Sequence, residues 1–229
     1  MKSLLQSLCT VVVENTLDEF LTSLDKIQEQ ADWIEIRADF IKNLNTKAVE
    51  ILKNHTHKKA IFCCRSATEG GQFLGTRAAQ QKILQIANDV GFEYIDIDLS
   101  IAAEIKIKHK KAQQIISYHD YQRTPHFSEL QELLSRMRQF QPDVFKFAVT
   151  THSPEDCHTL IRFLINKEKY DRLIVLGMGN EGKMLRILAP LLGSYLTFTT
   201  VGVSSAPGQM ELNEMRDLYQ RIEALIQSF

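Results

Sequence analysis

Apolar and polar positions along this chain follow two periods. Short runs rich in β-branched and aromatic residues alternate with longer stretches whose apolar positions recur every three to four residues. The short runs are Leu8–Val13, Trp33–Arg37, Ala60–Arg65, Tyr94–Leu99, Gln114–His119, Val144–Val149, Leu173–Leu176 and Tyr195–Thr199. They predict strands. Between them, stretches such as Leu17–Gln30, Thr76–Val90, Ser128–Phe140 and Pro154–Ile165 predict amphipathic helices, and Glu211–Gln227 predicts the last one. Thr16 and Ser153 suit helix N-caps, and Pro154 suits the first helical position because its missing N–H would have no partner there.

Eight strands, each followed by a helix, predict an α/β protein with a parallel sheet. Eight such units close into a (β/α)₈ TIM barrel, here a single catalytic domain over residues 1–229. An open doubly wound sheet would usually carry a glycine-rich turn after its first strand, and Val13-Glu14-Asn15-Thr16 has no glycine.

Strands of such a barrel are buried on both faces, so they should be almost continuously apolar. Several are interrupted here, always near the C-terminal end. With period two, Glu35 and Arg37 share a face, as do Cys63 and Arg65, Asp96 and Asp98, and Ser117 and His119. Lys146 stands alone among Val144, Phe145, Phe147 and Ala148. A buried charge costs several kcal/mol unless paired. Five strands bearing that cost at one end predict an active site there, where this fold places it. Taken singly, each residue also has a structural reading: Glu35 with Arg37 as an ion pair, Asp96 and Asp98 as helix caps or arginine partners, His119 as a satisfied core imidazole.

The chain has 229 residues, 44% hydrophobic and 24% charged, the mix of an ordinary globular protein. A formal net charge of −1 gives no overall field toward nucleic acid or an anionic membrane. No run approaches the ~18 apolar residues of a membrane helix. Met1–Val13 is interrupted by Gln6, Ser7 and Thr10 and reads as a strand, not a signal peptide. The four cysteines have no zinc-type spacing and are expected to be reduced thiols of a cytoplasmic protein.

Lysine desolvated by apolar neighbours has a depressed pKa and a free lone pair for attack on a carbonyl. Lys146 between two phenylalanines fits that description. The resulting imine acidifies the adjacent carbon, and His119 suits proton removal from it. Glu69, in the loop after the third strand, suits orientation of the imidazole. Arg37, Arg65 and Arg186 offer forked hydrogen bonds to an anionic, hydroxylated substrate. The loop Ser204–Gln209 offers hydroxyl, amide and backbone donors, or is simply a turn built by Pro207 and Gly208.

Together these segments resemble the type I 3-dehydroquinate dehydratases. The matching pieces are Glu35-Ile36-Arg37-Ala38-Asp39, Phe62 to Arg65, Glu69-Gly70-Gly71, Tyr94-Ile95-Asp96, Ser117-Tyr118-His119-Asp120-Tyr121, Lys146-Phe147-Ala148, Met178-Gly179-Asn180-Glu181-Gly182 with Arg186, and Ser205-Ala206-Pro207-Gly208-Gln209. The resemblance implies dehydration of 3-dehydroquinate to 3-dehydroshikimate in the shikimate pathway to aromatic amino acids, by syn elimination. It makes Lys146 the imine-forming nucleophile, His119 the general acid and base, and Glu69 the carboxylate that positions His119. It matches Arg186, Ser205 and Gln209 to binding of the substrate carboxylate and its surroundings, and Glu35, Arg37 and Arg65 to the ring hydroxyls and polar edge. It implies no metal or organic cofactor, and a homodimer. Two departures stand out: Leu185 where serine commonly precedes the arginine, and no room for the N-terminal hairpin that covers the barrel floor in many members. The rival readings are a class I aldolase or transaldolase-like Schiff-base barrel, a metal-dependent lyase using Glu35, Asp96, Asp98 and His119, and a non-catalytic carboxylate-binding barrel.

Overall fold

The computed structural model describes residues 3–202 and 208–228. Their strands are β1 (Leu8–Val12), β2 (Trp33–Arg37), β3 (Lys59–Cys63), β4 (Tyr94–Asp98), β5 (Gln113–Asp120), β6 (Val144–Thr150), β7 (Leu173–Met178), β8 (Thr197–Thr200) and the short β9 (Met210–Glu211). The helices are α1 (Leu17–Gln28), α2 (Thr46–His55), α3 (Arg77–Asp89), α4 (Phe127–Arg138), α5 (Pro154–Ile165), α6 (Lys183–Leu191) and α7 (Leu212–Gln227). All strand pairs are parallel, in the order β7-β6-β5-β4-β3-β2-β1-β8-β9. The sheet curls until β7 meets the segment leading into β8. There the Tyr195 N–H donates to the Leu173 carbonyl at 2.8 Å, and the Val175 N–H donates to Ser194 Oγ at 3.3 Å.

The expected caps are present. Thr16 and Ser153 accept from the backbone N–H three residues on, at 3.3 Å in each case. A proline at the start of α5 leaves no ladder bond unmade.

Strand alternation sorts the side chains into two cores. Ile34, Ile36, Phe62, Ile95, Phe145, Phe147 and Val175 face the helices. The other parity, including Cys9, Val11, Ile61, Ile115, Val144 and Ile174, fills the barrel. The floor of the barrel is closed by aromatic rings. Trp33 and Tyr94 centroids lie 5.5 Å apart, and the Tyr94 and Tyr195 hydroxyls share a 3.0 Å hydrogen bond. Above the apolar layer, the inward parity becomes polar: Glu35, Cys63, Asp96, Ser117 and Lys146. That change of character creates the site.

One expectation is corrected. No helix follows β4 among the described residues; 99–112 crosses to β5 in turns and extended chain. Ile101, Ala102 and Ile105 are buried and hold it to the core, whereas the Lys106–Lys111 stretch is too lysine-rich and short to bury a helical face. Its backbone is satisfied by amide side chains of α3 instead. Gln81, Gln85 and Asn88 lie on one helix face because they are three and four residues apart. Gln81 exchanges hydrogen bonds with the Lys106 backbone at 2.9 and 2.7 Å, and Gln85 with that of Lys108 at 3.0 and 2.8 Å. Asn88 Oδ1 accepts from the Lys111 and Ala112 N–H groups at 2.8 and 3.1 Å.

Asn88 is fully buried. Replacing it with alanine strands two backbone donors, and each stranded group costs about 1–3 kcal/mol. Asn88→Ala should therefore lower unfolding free energy by about 2–4 kcal/mol in urea titration. A loss below about 0.5 kcal/mol, the range of an ordinary surface change, would show that the crossover is held by other contacts.

Candidate active site

The centre of the site is a buried ammonium. Lys146, on β6, donates from Nζ to Glu35 Oε1 at 2.8 Å and Asp96 Oδ2 at 3.0 Å. Its Nζ also lies 4.4 Å from the centre of the Phe198 ring. Asp96 is shared: Arg65 Nη2 approaches its Oδ2 at 2.7 Å, and Ser117 donates to its Oδ1 at 2.6 Å. Arg65 Nη2 donates to Ser117 Oγ at 3.1 Å. Lys146, Asp96 and Glu35 are all at most 4% exposed.

The expected depressed lysine is not what this arrangement produces. Burial pulls the Lys146 pKa down, but Asp96 and Glu35 together outweigh it and hold the pKa above the ordinary lysine value. Burial likewise works to raise the two carboxyls, and their cations reverse it. Lys146, Arg37 and Arg65 hold Glu35 below the usual range, while Arg65 and Lys146 hold Asp96 far below it. Phe145 and Phe147, which suggested desolvation, point outward to the helices. At rest Lys146 is an ammonium.

His119 lies one inward step further along β5, since Ser117 is opposite Lys146 and His119 opposite Ala148. Its Nδ1 contacts Asp98 Oδ2 at 3.0 Å. Burial, then the charge of Arg65, press the imidazole pKa down to about 4, against the pull of Asp98. The ring is neutral at neutral pH, so Nδ1–H donates to the carboxylate and Nε2 keeps its lone pair. The Tyr121 ring stacks on it at a centroid distance of 6.1 Å. Gly70 lets Tyr121 approach: a Cβ there would meet the tyrosine hydroxyl at 2.1 Å.

Glu69, expected to position His119, borders a cleft together with it. Glu69 is buried but faces α3. Its carboxylate accepts from Arg77 Nη1 at 2.7 Å, from Gln80 Nε2 at 3.2 and 3.0 Å, and from the Ser66 hydroxyl. Glu35 and Arg37 do not pair with each other. Arg37 makes a two-pronged bond to Asp39, Nε to Oδ1 at 3.0 Å and Nη2 to Oδ2 at 2.9 Å. Asp39 in turn accepts from the Gln72 N–H at 3.1 Å, which ties this clamp to the β3–α3 loop.

Glu35, Arg37, Arg65, His119, Lys146, Arg186 and Gln209 all line one cavity, completed by Phe40, Tyr121, Leu176, Met178 and Phe198. It encloses about 640 Å³, part of it open to solvent, which suits a small ligand. Glu69 lies outside it, in a neighbouring cleft that His119 also borders. Ser205 lies outside the described residues. Gly208 enters with φ of 78°, and a Cβ on it would meet the Gly179 carbonyl oxygen at 2.3 Å. This close approach seats Gln209 beside the β7 loop. Glu35, Cys63 and Asp96 bring donor atoms within 4.8 Å of one another, a grouping that can hold a metal ion. Both carboxylates already hold the Lys146 ammonium, and burial pushes the Cys63 thiol well above its usual value.

A family model described as type I 3-dehydroquinase matches residues 8–226. The chain belongs to the type I 3-dehydroquinase family. A 3-dehydroquinate dehydratase of Coxiella burnetii is 53% identical to it over 215 residues, covering 93% of this chain and 92% of that protein. The crystal structure of the 3-dehydroquinate dehydratase from Geobacillus kaustophilus superposes with a TM-score of 0.89 at 25% identity, covering 96% of this chain and 91% of its own. That from Aquifex aeolicus gives 0.81 at 26% identity, covering 93% and 97%. Dehydration of 3-dehydroquinate is the activity that membership gives the enzyme.

The dehydratase departs from the expected pattern at Leu185, which is buried in the outer core. Support for the neighbouring Arg186 comes through its backbone. Pro190, inside α6, has no N–H for the Arg186 carbonyl four residues earlier. Thr197 and Tyr219 supply the missing donors, hydroxyl to carbonyl at 2.9 and 3.3 Å. The Arg186 guanidinium is lowered to about 10 by burial and remains charged at neutral pH. Sequence reasoning missed Tyr121 and the specific tasks of Asp96, Asp98 and Ser117, although their shared parity with His119 and Lys146 was the available signal.

The neutral His119 sets a pH dependence. Its folded value of about 4 lies below the unfolded value of about 6.5. Between those limits the unfolded chain binds the proton and the native chain does not, so stability falls as pH drops through that window. His119→Asn should flatten the slope of unfolding free energy there by about 1–3 kcal/mol in total. Parallel slopes for variant and wild type would refute a neutral buried imidazole.

Proposed function

We propose that the enzyme converts 3-dehydroquinate to 3-dehydroshikimate through an imine on Lys146, with His119 as the proton carrier. The single observation that supports this best is the placement of Lys146 and His119 on successive inward steps of adjacent strands, bordering one cavity. Arg186 and Gln209 receive the substrate carboxylate at the mouth, with Ser205 assigned to the same task. Arg37, Arg65 and Glu35 meet the ring hydroxyls.

Because Lys146 rests as an ammonium, a proton must leave before attack. Glu35 is the better acceptor of its two partners. Lys146 is its hydrogen-bond donor, whereas Asp96 also serves Arg65 and Ser117. The freed amine adds to the C3 ketone, and the carbinolamine hydroxyl takes back the proton held by Glu35 and leaves as water, which gives the protonated imine. His119 Nε2 takes the C2 proton, and the electron pair moves into the imine as an enamine. The enamine expels the C1 hydroxyl, to which His119 returns its proton, so water leaves. Hydrolysis of the imine releases product and regenerates Lys146. The protonated imine is the electron sink, a role that needs no added cofactor.

The four cysteines are free thiols, which suits the cytoplasmic setting we infer. No described helix is long and apolar enough to cross a membrane. The homodimer stands as part of this reading and is tested by sedimentation.

Borohydride with 3-dehydroquinate should leave a reduced adduct on the peptide that contains Lys146, read by mass spectrometry, and Lys146→Ala should abolish it. An adduct that survives in Lys146→Ala removes the lysine from its role. His119→Ala should keep adduct formation while turnover falls ~10²–10⁴-fold, the usual contribution of general acid–base catalysis. Wild-type turnover in that variant would refute the assignment of the base.

A further inference from the structure

We propose that the floor of the barrel carries a second binding site, separate from the catalytic cavity, for a small polyanion whose anionic groups reach Lys59 and Arg172. The imine chemistry plays no part in it.

Strand parity builds the site. Lys59, the first residue of β3, has the inward parity of Ile61 and Cys63, and Arg172, just before β7, has that of Ile174. Two cations are thus set at the N-terminal end of the barrel, opposite the end that holds Lys146. The aromatic plug of Trp33, Tyr94 and Tyr195 already fills the space above them, and both stay exposed. They lie against its rings. Lys59 Nζ is 5.3 Å from the centre of the Trp33 ring, and the Arg172 guanidinium carbon is 5.6 Å from that of Tyr195. Those two ring centroids are 6.2 Å apart, so the cations are brought to one place.

Cations gathered in this way repel one another unless an anion lies between them. Among the described residues neither Lys59 nor Arg172 forms an ion pair with a carboxylate. Arg172 Nη1 donates to the neutral Gln113 amide at 3.2 Å. Glu93 and Asp143 stand at the same end of the sheet but are committed elsewhere. Glu93 Oε2 accepts the Ala60 N–H at 2.9 Å, and its Oε1 lies 3.8 Å from Lys53. Asp143 Oδ2 accepts the Gln114 N–H and meets Lys110, each at 2.7 Å.

Beside these cations is a cavity of about 910 Å³, part of it open to solvent. Lys58 and Lys59 line it with Trp33 and Tyr195; Gln6 adds an amide, and Asp32 is its one carboxylate. It shares no lining residue with the catalytic cavity. The turn that carries the lysines is held from α1. Gln28, which is buried, accepts the His57 N–H at 2.5 Å and donates to the His55 carbonyl at 2.9 Å. An ammonium and a planar guanidinium fork on adjoining rings suit a ligand with two or more anionic groups, carboxylate or phosphate.

Trp33 is the only tryptophan of the chain, so its fluorescence reports on this floor. The test titrates the whole enzyme with citrate and with pyrophosphate, against sodium chloride at matched ionic strength, by Trp33 emission and by calorimetry. A saturable response to either anion is expected. Lys59→Gln and Arg172→Gln should each weaken it about tenfold, the loss of one charge-assisted hydrogen bond, and leave kcat without added anion unchanged. Preference for citrate assigns the site to carboxylates, and preference for pyrophosphate assigns it to phosphates. A response that only follows ionic strength overturns the proposal. So does binding that persists at wild-type affinity in the double variant, which would place the anion elsewhere. Should the double variant fold poorly, each single variant decides alone.

Discussion

Everything in this barrel is arranged around one buried positive charge. An ammonium taken out of water costs several kcal/mol even after relaxation, and the barrel interior offers no solvent to offset that. Glu35 and Asp96 meet Lys146 directly, Arg65 compensates the second carboxylate, and Ser117 fills an acceptor site on Asp96. The four ionised groups sum to zero. Remove any one and an uncompensated charge is left in the core. The lysine is therefore masked as an ion pair, and its amine becomes a nucleophile only when a proton moves within the set.

The scaffold suits such a set because strands hold it. Glu35, Asp96, Ser117 and Lys146 project from β2, β4, β5 and β6, and each strand is fixed on both edges by the parallel ladder. The flanking clamps extend this precision to the loops. Arg37 with Asp39 anchors one end of the β3–α3 loop, and Glu69 with Arg77 and Gln80 anchors the other. Arg186 comes from a helix, whose proline leaves a carbonyl for Thr197 and Tyr219 to hold. Arg186 and Gln209 line the same cavity as the Lys146 amine, so one small ligand in it can meet all three.

Much of the fold was legible because alternation is a one-dimensional property. The eight principal strands lie within a few residues of their expected bounds, and the polar inward parity of β2 to β6 marked the site before any contact was known. The helix expected after β4 was not there, because periodicity does not register that side-chain amides of a neighbouring helix can satisfy an extended crossover. The lysine was read as depressed from its sequence neighbours. Those neighbours point to the other face of the sheet, and the groups that set its protonation come from β2 and β4.

By itself, the sequence determined which residues face the barrel interior, that cations and carboxylates gather at the C-terminal ends of the strands, and which family the chain resembles. These follow from local periodicity and from ordered motifs. Only the tertiary structure decided the partners: Asp98 for His119, Asp39 for Arg37, α3 for Glu69, and two carboxylates for Lys146. Partnership depends on strand register and on loop paths between residues far apart in the chain. An electrostatic contact is decided within a few ångströms of distance that no spacing along the sequence encodes.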